Sequence, residues 1–388
     1  MSKQEVVVTG VGVVSPFGLN NSEYWEGLCS GKPVFSQRTT SDGKEAYQVS
    51  AVPDFKPKDY LPRKGLRNLN RSINFARIAA KMALAESGFA TDSLDPTRTA
   101  IVLGTNGACA DHMFTFNRDA HDGFVDPLHF PNTGVSAPAC QISVFEGFHC
   151  FTSTFSSGHT AGLDAIAFGC SALQQGNADV VIAGGVESLC PELLEDALQR
   201  GILPMAGENG DWVPGEGASC LILERKSDAL ARGAKPLAAY SGYALRFDPK
   251  AYLSGQHDVD QIYTTLTAAL EEADLNPDQI DCCWSGTSGN QSLACAEQEA
   301  FNRLFGERSI PVCHPGELIG DLDGACGAFL AGTAVMSFQH QKIAGLAPEE
   351  PTMAGRIDPI HGKSKLEHCL LSGQGSTGDR SAMVLRRA

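Results

Sequence analysis

The chain has 388 residues, of which 43% are hydrophobic and 19% are charged, and this composition supports an extensive buried core. Its 45 acidic and 30 basic residues give a formal net charge of −15, which argues against a nucleic acid as partner. The chain contains neither an apolar run long enough to cross a bilayer nor a recognisable secretory signal, so we expect no membrane partner.

Strand-like apolar runs alternate with alanine-rich helical segments, as is typical of an α/β fold whose sheets are covered on both faces. The first part of the chain predicts strands at 6–8, 99–103, 179–183 and 220–224, and helices at about 22–28, 72–87 and 162–175. The second part predicts helices near 261–273 and 296–304, and strands near 281–284 and 382–385. Polar and helix-breaking residues accumulate at 225–250, and they suggest a boundary between units 1–235 and 236–388.

Thirteen cysteines are scattered along the chain, and only Cys282 and Cys283 are adjacent. They form neither CxxC pairs nor a Cys/His ligand spacing, so we expect reduced, mostly buried thiols in a cytoplasmic protein and no metal site. The glycines near the N-terminus, in VVVTGVGVV, lack the G-x-G-x-x-G spacing of a dinucleotide site. We therefore predict no cofactor.

Seven segments carry the clearest pattern, and they follow in this order: VVVTGVGVVSPFG at 6–18, FPNTGVSAPACQIS at 130–143, SSGHTAGLDAI at 156–166, GNADVVIAGGVES at 176–188, VPGEGASCLILER at 213–225, GTS at 286–288 and GDLDGACGAF at 320–329. In these segments the chain resembles the β-ketoacyl-acyl-carrier-protein synthases over nearly its whole length. The resemblance implies the thiolase fold, an α/β architecture with two pseudo-symmetric halves. Each half then contributes a five-stranded mixed sheet to five αβαβα layers, and the protein is a dimer.

The condensing chemistry of that family uses a cysteine at the N-terminus of a buried helix, two histidines and a lysine. Matched to the family's motifs, His159 stands at the position of the cysteine and Ser285 at that of the first histidine. Asp321 stands at the position of the second histidine, and Gly316 at that of the lysine. Gln374 replaces the phenylalanine of a C-terminal glycine-rich loop. The resemblance therefore implies that no catalytic residue is intact.

The retained glycine scaffold and the lost chemical groups together resemble the chain-length factor, the ketosynthase-β subunit of type II polyketide and polyene synthases. That resemblance implies a heterodimer in which an active ketosynthase supplies the cysteine and both histidines. The growing chain then extends from the partner's cysteine into a tunnel at the interface. Chain-length factors typically carry glutamine where this chain has His159, so the role of that glutamine is not transferred. Two roles stay open for His159: a polar plug in the vacated pocket, or an acid or base oriented by Asp321.

The resemblance also implies two interaction surfaces. Segment 108–133 and the strand at 152–156 are expected to form the tunnel and the dimer interface, through Met113, Phe114, Phe116, Phe124, His129, Phe130, Thr152, Thr154 and Ser156. An ordinary hydrophobic interface core is the alternative for any single one of them. A basic cluster within 56–81 is expected to dock an acidic acyl carrier protein, or else to form a solvated helix face; its docking residues are Arg63, Lys64, Arg67 and Arg71.

These features predict a chain-length factor that shapes the product tunnel and stabilises an active ketosynthase, with an acyl carrier protein as second partner. One alternative is a homodimeric ketosynthase-like enzyme that decarboxylates malonyl-carrier protein or transfers acyl groups by means of His159. Another is a module that only recruits the carrier protein. Turnover by the isolated subunit favours the enzyme, and unchanged product length after substitutions in 108–133 favours the recruitment module. The sequence does not determine the length of the product, nor whether the product is an aromatic polyketide or a linear polyene.

Overall fold

The computed structural model describes residues 4–62, 69–89, 93–205, 212–287, 289–344 and 365–388. Its strands are β1 (Val6–Val14), β2 (Ser36–Thr39), β3 (Ala46–Val49), β4 (Thr99–Gly104), β5 (Thr152–Phe155), β6 (Val180–Glu187), β7 (Gly217–Arg225), β8 (Ala238–Phe247), β9 (Cys282–Ser285), β10 (Val312–Cys313), β11 (His368–Gln374) and β12 (Asp379–Arg387). Its helices are α1 (Asn21–Ser30), α2 (Arg71–Ser87), α3 (Ala110–His121), α4 (Ala137–Glu146), α5 (Ala161–Gln174), α6 (Pro191–Gln199), α7 (Lys226–Ala231), α8 (Pro249–Ser254), α9 (Val259–Glu272), α10 (Gln291–Phe305), α11 (Gly316–Ile319) and α12 (Cys326–His340). In the described ranges, no helix is both long and apolar enough to cross a membrane.

Ten of the strands join in the order β10-β9-β11-β12-β8-β1-β7-β6-β4-β5. β1 and β8 meet at the centre of this order, where Val7 pairs with Ala239 and Val8 pairs with Ala238. Outward from this pair, one half has the order β1-β7-β6-β4-β5 and the other has the order β8-β12-β11-β9-β10. When the five strands of each half are counted along the chain, both halves therefore have the order first, fifth, fourth, second and third. Each half also mixes parallel and antiparallel pairs. The predicted α/β fold with two pseudo-symmetric five-stranded halves is therefore confirmed.

Helices α5 and α12 pack against each other at the centre of the molecule. Both are apolar on most of their surface, as expected for helices that are covered on nearly every face. They share one hydrophobic core with β1, β6, β7 and β11, which come from both halves. Their first turns cross at Gly162 and Gly327, where a methyl group added to Gly162 would lie 2.5 Å from the Ala328 nitrogen. These glycines allow the two backbones to come into contact.

The sequence prediction lacks α7 and the central strand β8, which lie within the polar segment 225–250. β8 buries Ala238 and Ala239 and exposes Leu245 and Phe247 at its other end, so its composition does not resemble that of a buried strand. The sequence prediction also lacks α12, because a helix that is apolar all round has no amphipathic period. The proposed division at residue 235 stays a prediction.

We predict that Gly162→Ala destabilises the chain by about 1–3 kcal/mol, because the added methyl forces α5 and α12 apart. Gly134→Ala is the matched control, since a methyl group there would meet its nearest neighbour, the Ser136 Oγ, at 3.7 Å. Thermal unfolding followed by circular dichroism compares the two variants. Equal melting temperatures would contradict the close crossing of the helices.

Candidate functional site

His159 lies at the entrance to helix α5. The chain leaves β5 and enters a 3₁₀ turn at Gly158–Thr160, which leads directly into the helix. Gly158 has a φ of 70°, and a side chain at this position would collide with the carboxylate of Asp379. The Gly158 N–H donates to Asn106 Oδ1 over 3.2 Å. These contacts fix the turn and place the imidazole of His159 beside the helix N-terminus.

Asp321 holds the imidazole in place. The Nε2 atom of His159 lies 3.0 Å from Oδ1 and 3.1 Å from Oδ2 of Asp321. Two groups fix the carboxylate in turn: Trp212 Nε1 donates to Oδ2 over 2.8 Å, and the Asp323 N–H donates to Oδ1 over 2.9 Å. The His159 side chain is 17% exposed and that of Asp321 is 6% exposed. The structure thus brings together the residues that stand at the positions of the cysteine and the second histidine.

The carboxylates around His159 keep its ring protonated. Burial alone would lower the pKa of His159, but the charge and hydrogen bond of Asp321 outweigh it and, with Asp323 and Asp379, raise the pKa to about 10. Burial likewise opposes ionisation of Asp321, but the neighbouring imidazolium holds the pKa of this carboxyl below its usual value. Because a helix N-terminus disfavours a positive charge, the carboxylates also offset the α5 dipole. At neutral pH His159 is therefore a fixed cation and not a base.

Ser285 and Gln374 belong to a buried polar network around Glu297 of α10. The Ser285 Oγ donates to Glu297 Oε2 over 2.6 Å, and the Ser372 Oγ donates to Oε1 of the same carboxyl. Gln374 Nε2 donates to the Ser372 Oγ over 3.0 Å. The single hydroxyl proton of Ser285 is thus committed to Glu297 and is not free for a substrate oxygen. Gly316 is the first residue of α11 and offers no side chain.

A cavity of about 390 Å³ lies beside the ion pair. Its polar lining includes His159, Asp321, Asp323, Gln374 and Glu187. Its apolar lining comes from Leu189, Leu193, Leu194, Ile202 and Leu293. Burial, together with the charge of Asp323, raises the pKa of Glu187 to about 8, so this carboxyl keeps its proton at neutral pH. Among the described residues, no group of three or more side chains is arranged to hold a metal ion.

Two cysteines lie at or near this cavity. Cys190 lines it, and the Sγ of Cys326 lies 3.5 Å from the Gly286 carbonyl oxygen. Burial raises the pKa of Cys190 to about 11 and raises that of Cys326 well above its ordinary value. Both groups are therefore thiols at neutral pH, and a thiol is a weak nucleophile. Neither replaces the activated cysteine that a condensing enzyme requires.

The predicted tunnel and interface residues form a different surface. Most of the predicted aromatic positions lie on α3 and on the segment that follows it, while β5 is the outermost strand of the sheet as described. Large apolar side chains are exposed along this region, namely Met113, Phe124, Val125, Leu128, Phe130, Val135 and Val144. Phe114, Phe116, His129 and Thr154 are half-buried, and Thr152 and Ser156 are exposed. None of the predicted positions lines the cavity beside His159. The interface role of this exposed apolar face stays a prediction.

Arg71 is the one predicted docking residue that the structure describes. Its Nε donates to Glu216 Oε1 over 2.8 Å, and its guanidinium carbon lies 4.9 Å from the centroid of the Phe75 ring. It therefore stabilises the start of α2 within the subunit. The other predicted docking residues, Arg63, Lys64 and Arg67, lie outside the described residues. The docking role of the cluster stays a prediction.

Sequence comparison places the chain in a known family. Residues 3–229 match the N-terminal domain of the β-ketoacyl synthases, and residues 237–348 match their C-terminal domain. The chain belongs to the β-ketoacyl synthase family. It is 29% identical to the tetracenomycin polyketide synthase ketoacyl synthase beta subunit of Streptomyces glaucescens, with 98% of each chain covered. It is also 29% identical to the actinorhodin polyketide β-ketoacyl synthase 1 of Streptomyces coelicolor, over 100% of this chain and 89% of that protein.

A solved β-ketoacyl synthase structure superposes on the whole chain. The ishigamide ketosynthase/chain length factor aligns over 100% of both chains with a TM-score of 0.86 and 22% sequence identity. At this identity, the likeness shows that the two chains share the fold. The family and the fold that the motifs predict are both confirmed.

Several residues of the pocket carry no signal in the sequence. The indole of Trp212 reaches Asp321, which is 109 residues away in the chain. Glu297 lies inside an otherwise ordinary amphipathic helix, and Glu187 follows a buried strand run. A buried glutamate would have been a signal, because glutamate is rarely buried unless it is paired. The sequence alone, however, does not show that these glutamates are buried.

We predict that the stabilising contribution of His159 weakens as the pH rises from about 6.5 towards 10. The folded-state pKa lies above the unfolded-state value, so the contribution is complete below the unfolded-state value and is lost as the pH passes the folded-state value. The measurement is the difference in free energy of unfolding between the wild type and His159→Gln, obtained by urea denaturation across this pH range.

Asp321→Asn provides the control for this prediction. It removes the carboxylate that raises the pKa of His159, so it should flatten the same pH dependence. A difference between wild type and His159→Gln that is constant across the pH range would show that no ion pair is present.

Proposed function

We propose that this chain is a chain-length factor. It performs no condensation itself and forms, with an active ketosynthase, the tunnel that sets the length of a carrier-protein-bound polyketide or polyene chain. The observation that carries the proposal is the ion pair between His159 and Asp321, which occupies the pocket where a condensing enzyme of this family holds its nucleophile. An imidazolium with a pKa of about 10 neither attacks a thioester nor accepts a proton at neutral pH.

The charge of the pocket argues against the alternative of an enzyme that decarboxylates malonyl groups. The imidazolium of His159 is already paired with the Asp321 carboxylate, so the described residues that line the cavity offer a malonyl carboxylate no unpaired cation. Ser285 donates its hydroxyl proton to Glu297, so it does not stabilise an enolate oxygen. A ketosynthase partner must therefore provide the nucleophile and the proton donors.

The exposed apolar face supports the partnership. Phe124 is 74% exposed, Val144 is 71% exposed and Leu128 is 65% exposed, although each side chain favours burial. β5 borders this region, and its free edge can pair with a strand of a second subunit. One relative in structure is named as a ketosynthase/chain length factor, which is the pairing proposed for this chain. An acyl carrier protein as second partner, a cytoplasmic location and a division at residue 235 are parts of the same proposal.

The test is product length in a heterodimer reconstituted with the cognate ketosynthase and malonyl-carrier protein. The rings of Phe116 and Phe130 lie 5.5 Å apart, and Phe130 is 64% exposed. If these rings limit the tunnel, Phe116→Ala and Phe130→Ala enlarge it, and the main product gains one or more two-carbon units. Mass spectrometry of the released products measures the change.

Leu253→Ala is the matched control, because Leu253 is 80% exposed and lies on α8, outside the predicted tunnel segment. It should leave product length unchanged. Unchanged products from Phe116→Ala and Phe130→Ala, in heterodimers that assemble normally, would favour the recruitment module. Condensation by the isolated subunit, lost in His159→Ala, would favour the homodimeric enzyme.

A further inference from the structure

Two pairs of rings join α3 to the segment that follows it. His112 stacks on His129, with ring centroids 5.7 Å apart and planes inclined by 28°. The rings of Phe116 and Phe130 are tilted against each other, with centroids 5.5 Å apart and planes inclined by 50°. Because His112 and Phe116 are one helical turn apart, they lie on the same side of α3. The two imidazoles therefore extend the row of rings that the proposed function places along the tunnel.

His112 is half-buried, and it has an unusual hydrogen-bonding state. Its Nδ1 atom is buried, and no described donor or acceptor reaches it. Burial lowers the pKa of His112, the nearby Asp111 carboxylate opposes that effect, and His129 adds to it, so the ring is neutral at neutral pH. The Asp111 carboxylate accepts instead from the side-chain amide of Asn70, over 3.1 Å.

A neutral imidazole carries one proton, and the surroundings decide which nitrogen holds it. A proton on Nδ1 would be a buried donor without an acceptor, which is unfavourable. The Nε2 atom also makes no hydrogen bond within the described part of the chain but, unlike Nδ1, it is accessible from the surface. The proton therefore resides on Nε2, and His112 offers an N–H donor one helical turn from the apolar ring of Phe116.

We propose that the Nε2–H of His112 donates a hydrogen bond to an oxygen atom of the acyl chain in the tunnel, so that the substrate is an oxygenated chain with ketone, enol or hydroxyl groups. A hydrocarbon or all-carbon polyene chain would cover this donor without pairing it, at a cost in free energy. His112 thereby selects the class of chain, while Phe116 and Phe130 limit its length. This inference rests on the proposed function, because it requires that the row of rings faces the tunnel.

The experiment uses the heterodimer with its cognate ketosynthase and two kinds of probe. One probe is octanoyl-pantetheine, and the others are the same thioester with a single ketone at successive positions along the chain. We expect the wild type to bind the best ketone probe about tenfold more tightly than the octanoyl probe, as one neutral hydrogen bond allows. His112→Leu should remove this preference, and His112→Gln, which keeps an N–H donor, should retain part of it.

His121→Leu is the control, because His121 is the exposed last residue of the same helix. A wild type without preference for any ketone probe, or a preference that survives in His112→Leu, would overturn the inference. Weakened heterodimer assembly in His112→Leu with an unchanged ketone preference would also overturn the inference. That result would indicate that the N–H of His112 donates to the partner subunit and not to the acyl chain. If Phe116→Ala lengthens the products while the ketone preference is absent, the inference fails and the proposed function stands.

Discussion

The ion pair at the start of α5 is the constraint on which the rest of the pocket depends. A helix N-terminus favours an anion, and this is why a thiolate is stable there in a condensing enzyme. With His159 in that place, the same position holds a cation, and it is tolerated only because Asp321, Asp323 and Asp379 surround it. Substituting the nucleophile and substituting the second histidine are therefore one physical change, since each new residue neutralises the other.

The scaffold around the ion pair has a separate physical basis. α5 and α12 meet through Gly162 and Gly327, where there is no room for a side chain. Such close contacts constrain the fold whatever the chemistry of the pocket, because any added atom must push the backbone apart. This explains how a chain can retain the architecture of the β-ketoacyl synthases even where residues that the motifs match to condensing groups are replaced.

The sequence predicts the family and the fold, because glycine-rich motifs report backbone constraints that are local in the chain. It does not predict the contact of Asp321 with Trp212, 109 residues away, or that of Ser285 with Glu297, 12 residues away, because both depend on how the elements pack. It also misses β8, which buries Ala238 and Ala239 at one end and exposes Leu245 and Phe247 at the other. A local sequence pattern does not predict how deeply a side chain is buried. Burial and the neighbouring charges decide whether a histidine is a base, a cation or a neutral hydrogen-bond donor.

This chain is expected never to carry the acyl group. The acyl adducts are located by mass spectrometry of both subunits, digested while the heterodimer turns over isotopically labelled malonyl-carrier protein, with the isolated subunit as comparison. We expect adducts on the cysteine of the partner and none on His159 or on any of the thirteen cysteines of this chain. An acyl adduct on this chain in the absence of the partner would show that the chain carries the acyl group itself.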